Sequence, residues 1–152
     1  PDTDAVDSAT LSLRGTLKLD DLLIAPKTNI YSSAPASTAD VVAGDFDSLG
    51  TTAYSTDITY ANFSTTGYND FTLNSFGIAN ISIIGVSKFG SRESAYDAPN
   101  ITPTHDPSKS SYTGGYTADQ VDTTNDPKLV VVHSLAPPPP SAVTDSQLFM
   151  EF

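Results

Sequence analysis

Residues 66–74 read TGYNDFTLN. Tyr68, Asp70, Thr72 and Asn74 alternate with Asn69, Phe71 and Leu73, which is the period of a strand and not of a helix. Working outward, SATLSLRGTLKL (8–19) sets Ala9, Leu11 and Leu13 on one face, meets Gly15, and resumes with Leu17 and Leu19. It reads as one or two strands. LLIAPKTNIYSSAP (22–35) gives a short apolar run, a break at Pro26, and a second run at Ile30 and Tyr31. Downstream, DPKLVVVHSL (126–135) predicts a buried strand from Lys128 to Ser134.

The intervening segments are shorter and more broken. TADVVAGDFDSLGTTAYST (38–56) predicts one helical turn capped by Thr38 or Asp40, a loop, and a strand near Ala53 to Thr56. FGIANISIIG (76–85) fits both periods and reads as one helical turn, followed by a strand from Val86 to Arg92. AYDAPNITPTHDPSKSSYTGG (95–115) is rich in turn formers and reads as a long loop, with GYTADQV (115–121) as a further strand candidate. The sum is about eight or nine short strands without internal repeat. That pattern predicts an all-β fold, a jelly-roll-like antiparallel β-sandwich.

Composition agrees. The chain has 152 residues, enough for one domain with a real core, and it is rich in Ser, Thr, Asn and Gly with 11 prolines. Eighteen acids against 7 bases give a net charge of −11, the wrong sign for a nucleic-acid partner. There is no cysteine, so disulfide and thiolate chemistry are excluded. No apolar run approaches the ~20 residues of a membrane span, so membrane insertion is not expected. Opening on Pro1, the sequence is expected to be a processed or excised piece.

The last stretch, SAVTDSQLFMEF (141–152), repeats the strand period: Leu148, Met150 and Phe152 alternate with Gln147, Phe149 and Glu151. Pro137, Pro138, Pro139 and Pro140 separate it from the rest as a polyproline II spacer of roughly 12 Å. The expected organisation is therefore a sandwich body over 1–134, a Pro-rich linker over 135–143, and a C-terminal donor or return strand over 144–152.

Groups that carry chemistry are sparse. The two histidines, His105 in a loop and His133 at the end of an apolar strand, are too far apart for a zinc site. There is no G-x-S-x-G elbow and no glycine-rich phosphate loop. Carboxylates at Asp2, Asp4 and Asp7, and at Asp45 and Asp47, lack the EF-hand spacing; a structural Ca²⁺ ion is the one cofactor they suggest. Sequons at Asn62, Asn80 and Asn100 are candidate glycosylation sites, with Pro103 disfavouring the third. Tyr112 and Tyr116, in a Gly-rich stretch, are the candidate sugar-stacking residues.

The stretch YNDFTLNSFGIANISIIGVSKFGSRESAYD (68–97), with VVAGDFDSLGTTAYS (41–55) and DPKLVV (126–131), resembles a recurrent module. It is similar to the jelly-roll, carbohydrate-binding-module-like β-sandwich domains of prokaryotic secreted, cell-surface and phage-associated proteins. The resemblance covers roughly Ser8 to His133 and departs at Ser91, where the pattern prefers Leu. In such modules another strand precedes the one matching SATLSL. Written head to tail, SQLFMEF followed by PDTDAVDSATLSL reads like the module's own order. The resemblance thus implies a body one strand short and a tail that resembles the missing strand.

That strand can return to its own body or fill the neighbour's. The stiff spacer favours the neighbour, as in donor-strand complementation. The expected function is a structural subunit of an extracellular filament or surface assembly, not an enzyme. Its partner is itself, as a head-to-tail homopolymer, with Leu148, Phe149, Met150 and Phe152 as anchors. The expected location is extracellular or the cell surface, including a virion surface. The alternative is a carbohydrate-binding or adhesion module, one unit of a tandem array.

Overall fold

The structure is a computed structural model that describes residues 4–37, 40, 42–117 and 121–135. Residues 136–143 of the linker and the 144–152 segment lie outside the described residues.

The described residues form seven strands: β1 (Ala5–Asp20), β2 (Lys27–Ser32), β3 (Ile58–Thr59), β4 (Tyr68–Thr72), β5 (Phe89–Glu93), β6 (Ser111–Gly115) and β7 (Lys128–Ser134). One short helix, α1 (Ser75–Ala79), follows β4, and a 3-10 helix spans Ala43–Ser48. All pairings are antiparallel. One sheet is built on β1, with β4 paired to residues 10–14, β7 to residues 5–12 from the opposite edge, and β6 to residues 15–20; the second runs β3-β2-β5.

The two sheets close on each other through their apolar faces. Ala9 and Leu11 of β1 and Phe71 of β4 meet Ile30 of β2, with Tyr54 and Leu73 completing the cluster. Ile30 and Phe71 are fully buried, and each such side chain contributes about 1.5–3 kcal/mol. The all-β, sandwich-like class read from the sequence is therefore the observed one. At the β6 side, the Thr28 and Thr113 hydroxyls bond at 2.8 Å and tie the sheets together.

Several boundaries differ from the sequence reading. Of the one or two strands read over residues 8–19 the structure has one, longer at both ends: β1 runs through Gly15, and the register with β6 shifts between Gly15 and Leu17. Ala53 to Thr56 is not a strand. Tyr54 N–H bonds Ile30 O at 2.8 Å, but the next residue turns to the Asn29 side chain, which accepts from Ser55 N–H and Oγ. Ser111–Gly115, read as the end of a loop, is β6. The strand expected from Val86 begins instead at Phe89 and extends to Glu93. The helical turn near residue 40 lies at Ala43–Ser48, where the Asp45 carboxylate accepts from Val42 N–H at 2.9 Å. For α1 the cap is Asn74, whose Oδ1 accepts from Phe76 and Gly77 N–H.

Candidate functional site

An apolar groove of about 570 Å³ lies between the sheets. Its walls are the inner faces of β1 and β7 (Leu11, Leu13, Leu129) and of β2 and β5 (Thr28, Ile30, Phe89, Ser91). Phe63, residues 113–117 and Pro127 also line it. Of the described residues that line it, only Tyr116 carries a titratable group. Such a site is suited to burying apolar side chains.

The groove borders an unusual strand. β7 carries Leu129, Val130, Val131 and Val132 in succession, the composition of a strand buried on both faces. Leu129 and Val131 sit opposite Leu11 and Ala9 and so face inward, but only Val131 packs against the core. Leu129 is 39% exposed on the inner side; Val130 and Val132 are 59% and 54% exposed on the outer side. Among the described residues β7 pairs only with β1, and β5 only with β2, so each leaves one edge without a ladder partner. Unpaired edges of this kind are templates for a further strand.

The β7 strand is itself held firmly. Tyr68 Oη donates to Thr124 O at 2.8 Å and to Asp126 O at 3.1 Å, fixing the approach, and Lys128 Nζ lies 3.9 Å above the Tyr68 ring. At the far end His133 Nδ1 meets Asp4 Oδ2 at 2.7 Å and Ser134 Oγ donates to Asp7 Oδ1 at 3.0 Å. His133 shares the parity of the inward Leu129 and Val131, yet its side chain is 57% exposed at the strand end, where the register with β1 shifts between Val6 and Ser8. Each hydrogen-bonding side chain there has its own carboxylate. The exposed apolar face of β7 is a fixed feature of the sheet.

Other predicted residues are scattered. Tyr116 lines the groove, while Tyr112, 43% exposed, lines a separate depression of about 210 Å³ with Arg92 and Glu93. The two rings do not share one concavity. Asn62 is exposed in the turn after β3, and Asn100 is exposed with a φ of 56°. Asn80 is half-buried at the C-cap of α1, where its Nδ2 donates to Lys88 O at 2.8 Å. Leu148, Phe149, Met150 and Phe152 lie outside the described residues, as do Pro137 to Pro140 and Asp2.

Of the suggested calcium ligands, Asp4, Asp7 and Asp45 make contacts within the fold, and Asp47 is exposed. Asp4 and Asp7 hold the end of β7. Asp45 accepts from Val42 and Ala36 N–H, and these bonds hold its carboxyl below the usual range. Among the described residues no cluster of three or more His, Asp or Glu side chains is placed to hold a metal ion. Nor is any described helix long and apolar enough to cross a membrane.

The sequence reading missed the buried polar residues that fix the walls. Asn29 and Asn69 are 0% and 3% exposed. Asn69 Nδ2 donates to Ser64 O at 2.9 Å and Leu13 O at 3.3 Å, while its Oδ1 accepts from Ser64 N–H at 2.8 Å. That loop carries Phe63, which lines the groove. Asn next to an apolar strand position was the available signal in both NIY (29–31) and YND (68–70), and alternation alone does not separate a satisfied buried amide from an exposed one.

Comparison with protein-family models, with curated proteins and with solved structures gives no match.

Proposed function

We propose that the chain is a structural subunit of an extracellular filament or surface assembly, built head to tail by donation of its 144–152 segment into the neighbouring sandwich. In this reading the body is a jelly-roll-like sandwich one strand short. The observation that carries it is the open apolar groove beside a strand edge that has no ladder partner among the described residues. Left open, a groove and edge of this kind promote association, and natural sheets usually cover or charge them. The sequence supplies a segment of strand period and apolar content, on a spacer too stiff to fold back tightly. A heterologous contact of this kind repeats without closing, and so extends into a fibre.

Sedimentation velocity over a range of protein concentrations tests the proposal. A growing series of heavier species with rising concentration is expected; one monomeric species throughout would contradict it. The carbohydrate-binding reading draws on the Tyr116 ring at the groove wall. It requires that same monomer, with glycan bound.

A further inference from the structure

We infer that residues 146–152 of a neighbouring copy pair with the edge of β7 that no described strand occupies, with Leu148, Met150 and Phe152 turned into the groove and Phe149 laid over Val130 and Val132. The inference rests on the proposed assembly and adds where, and by which faces, the donated strand docks.

Three observations select this edge. The first is apolar content on both faces. A strand added to a sheet sets its alternate side chains beside those of its neighbour, inner with inner and outer with outer. β7 presents Leu129 inward over the groove and Val130 and Val132 outward, all substantially exposed. The 146–152 segment is apolar on both of its faces too: Leu148, Met150 and Phe152 on one, Phe149 on the other. Docking in the groove alone would leave Phe149 without a counterpart. Pairing with β7 gives it Val130 and Val132.

The second is length. β7 spans seven residues, and SQLFMEF is seven residues. Both extend over roughly 23 Å at ~3.3 Å per residue. The third is charge. The described groove lining holds no acid or base apart from the Tyr116 phenol. Glu151, the one charged residue of the segment, lies on the Phe149 side and so away from the groove.

The chain has no cysteine, which permits a clean cross-linking test on the full-length protein. Phe149→Cys is combined with Val130→Cys or with Val132→Cys, on the solvent side of the sheet, and oxidised mildly. Residues directly opposite on paired strands lie ~4.5–5.5 Å apart between Cα atoms, within disulfide reach. Phe149→Cys with Thr72→Cys, on the outer face of β4 at the other side of the sheet, is the control. The expected result is a ladder of covalent multimers on a non-reducing gel for a β7 pair and at least a tenfold lower yield for the control. Filaments without β7 cross-links, or equal yields at Thr72, would overturn the docking site while leaving the assembly standing. Cross-linked monomers would overturn the neighbouring copy as donor, and with it the proposed assembly, while keeping the β7 edge as the dock.

Discussion

The Asp20 carboxylate closes the turn from β1 to β2. It accepts from Ile24 N–H at 3.0 Å, Ala25 N–H at 2.9 Å and the Ser111 hydroxyl at 2.8 Å. Leu23 and Ala25 in that turn have φ of 55° and 49°, a conformation that costs a non-glycine residue roughly 1–2 kcal/mol. Burial pushes the Asp20 carboxyl up, but the Ser111 hydroxyl and the N–H groups of Ala25, Ile24 and Leu23 outweigh it and hold it below its ordinary value. A folded value below the unfolded ~3.9 means that its stabilisation is complete above about pH 4 and is lost as pH falls through the folded value. Asp20→Asn should therefore cost about 1.5–3 kcal/mol in urea unfolding at pH 7. The gap to the parent should narrow below about pH 4; a constant gap across that range would refute the assignment.

Arg92 is a second anchoring residue. Its guanidinium pairs with both Asp97 oxygens at 2.7 and 2.8 Å, donates to Gly50 O at 2.9 Å, and lies near the faces of Tyr31 and Phe46. These bonds fasten β5 to the loop after the 3-10 helix. The pair is intermediate in exposure, between surface bridges worth ~0–1 kcal/mol and buried ones that cost ~3–5 when broken. Arg92→Lys cannot reproduce the fork, and a loss of about 2 kcal/mol in thermal or urea unfolding is expected.

At the scale of elements, β1 organises the sheet by changing partners along its length. Gly15 sits at the changeover, where its N–H bonds Gly67 O at 3.1 Å. A Cβ there would run into the Ser64 carbonyl oxygen, with the Asn69 amide and the Phe63 ring close behind. Gly15→Ala should cost about 1–3 kcal/mol by overpacking against backbone. An unchanged midpoint in urea would mean the loop yields freely.

How far the elements were legible follows from the same contacts. YNDFT and KLVVVHS were visible because period and β-propensity agree there, whereas the turn at 76–85 fitted both periods and its Asn74 cap was read as part of the preceding strand. Ala53 to Thr56 has strand-like sequence, but the Asn29 side chain captures Ser55, and no local pattern announces that. β6 was hidden by its glycines. Gly114 and Gly115 look like loop residues, yet side chains there would press on Leu17 and on the Arg14 carbonyl, so the sheet itself calls for glycine. The open groove was anticipated only through the resemblance to modules with one more strand. The exposure on both sides of β7 was not anticipated, since LVVV reads as buried on both faces.

At the scale of the whole molecule, assembly sets apolar docking against charge. A net charge of −11 repels neighbouring copies. Raising salt from about 10 mM to 150 mM shortens the screening length from roughly 30 Å to 8 Å and should promote assembly, read by light scattering. A docking contact dominated by ion pairs would weaken instead. The anchor residues give the sharper test. Burial of Met150 is worth about 1.5–3 kcal/mol, so Met150→Asp should weaken association at least roughly tenfold without altering the body.

Electron microscopy of the full chain beside the Met150→Asp variant tests the central claim most directly, with circular dichroism and melting used to establish that both bodies are folded alike. Filaments in the parent and dispersed monomers in the variant are the predicted result. Monomers in both, or filaments in both, would contradict the account.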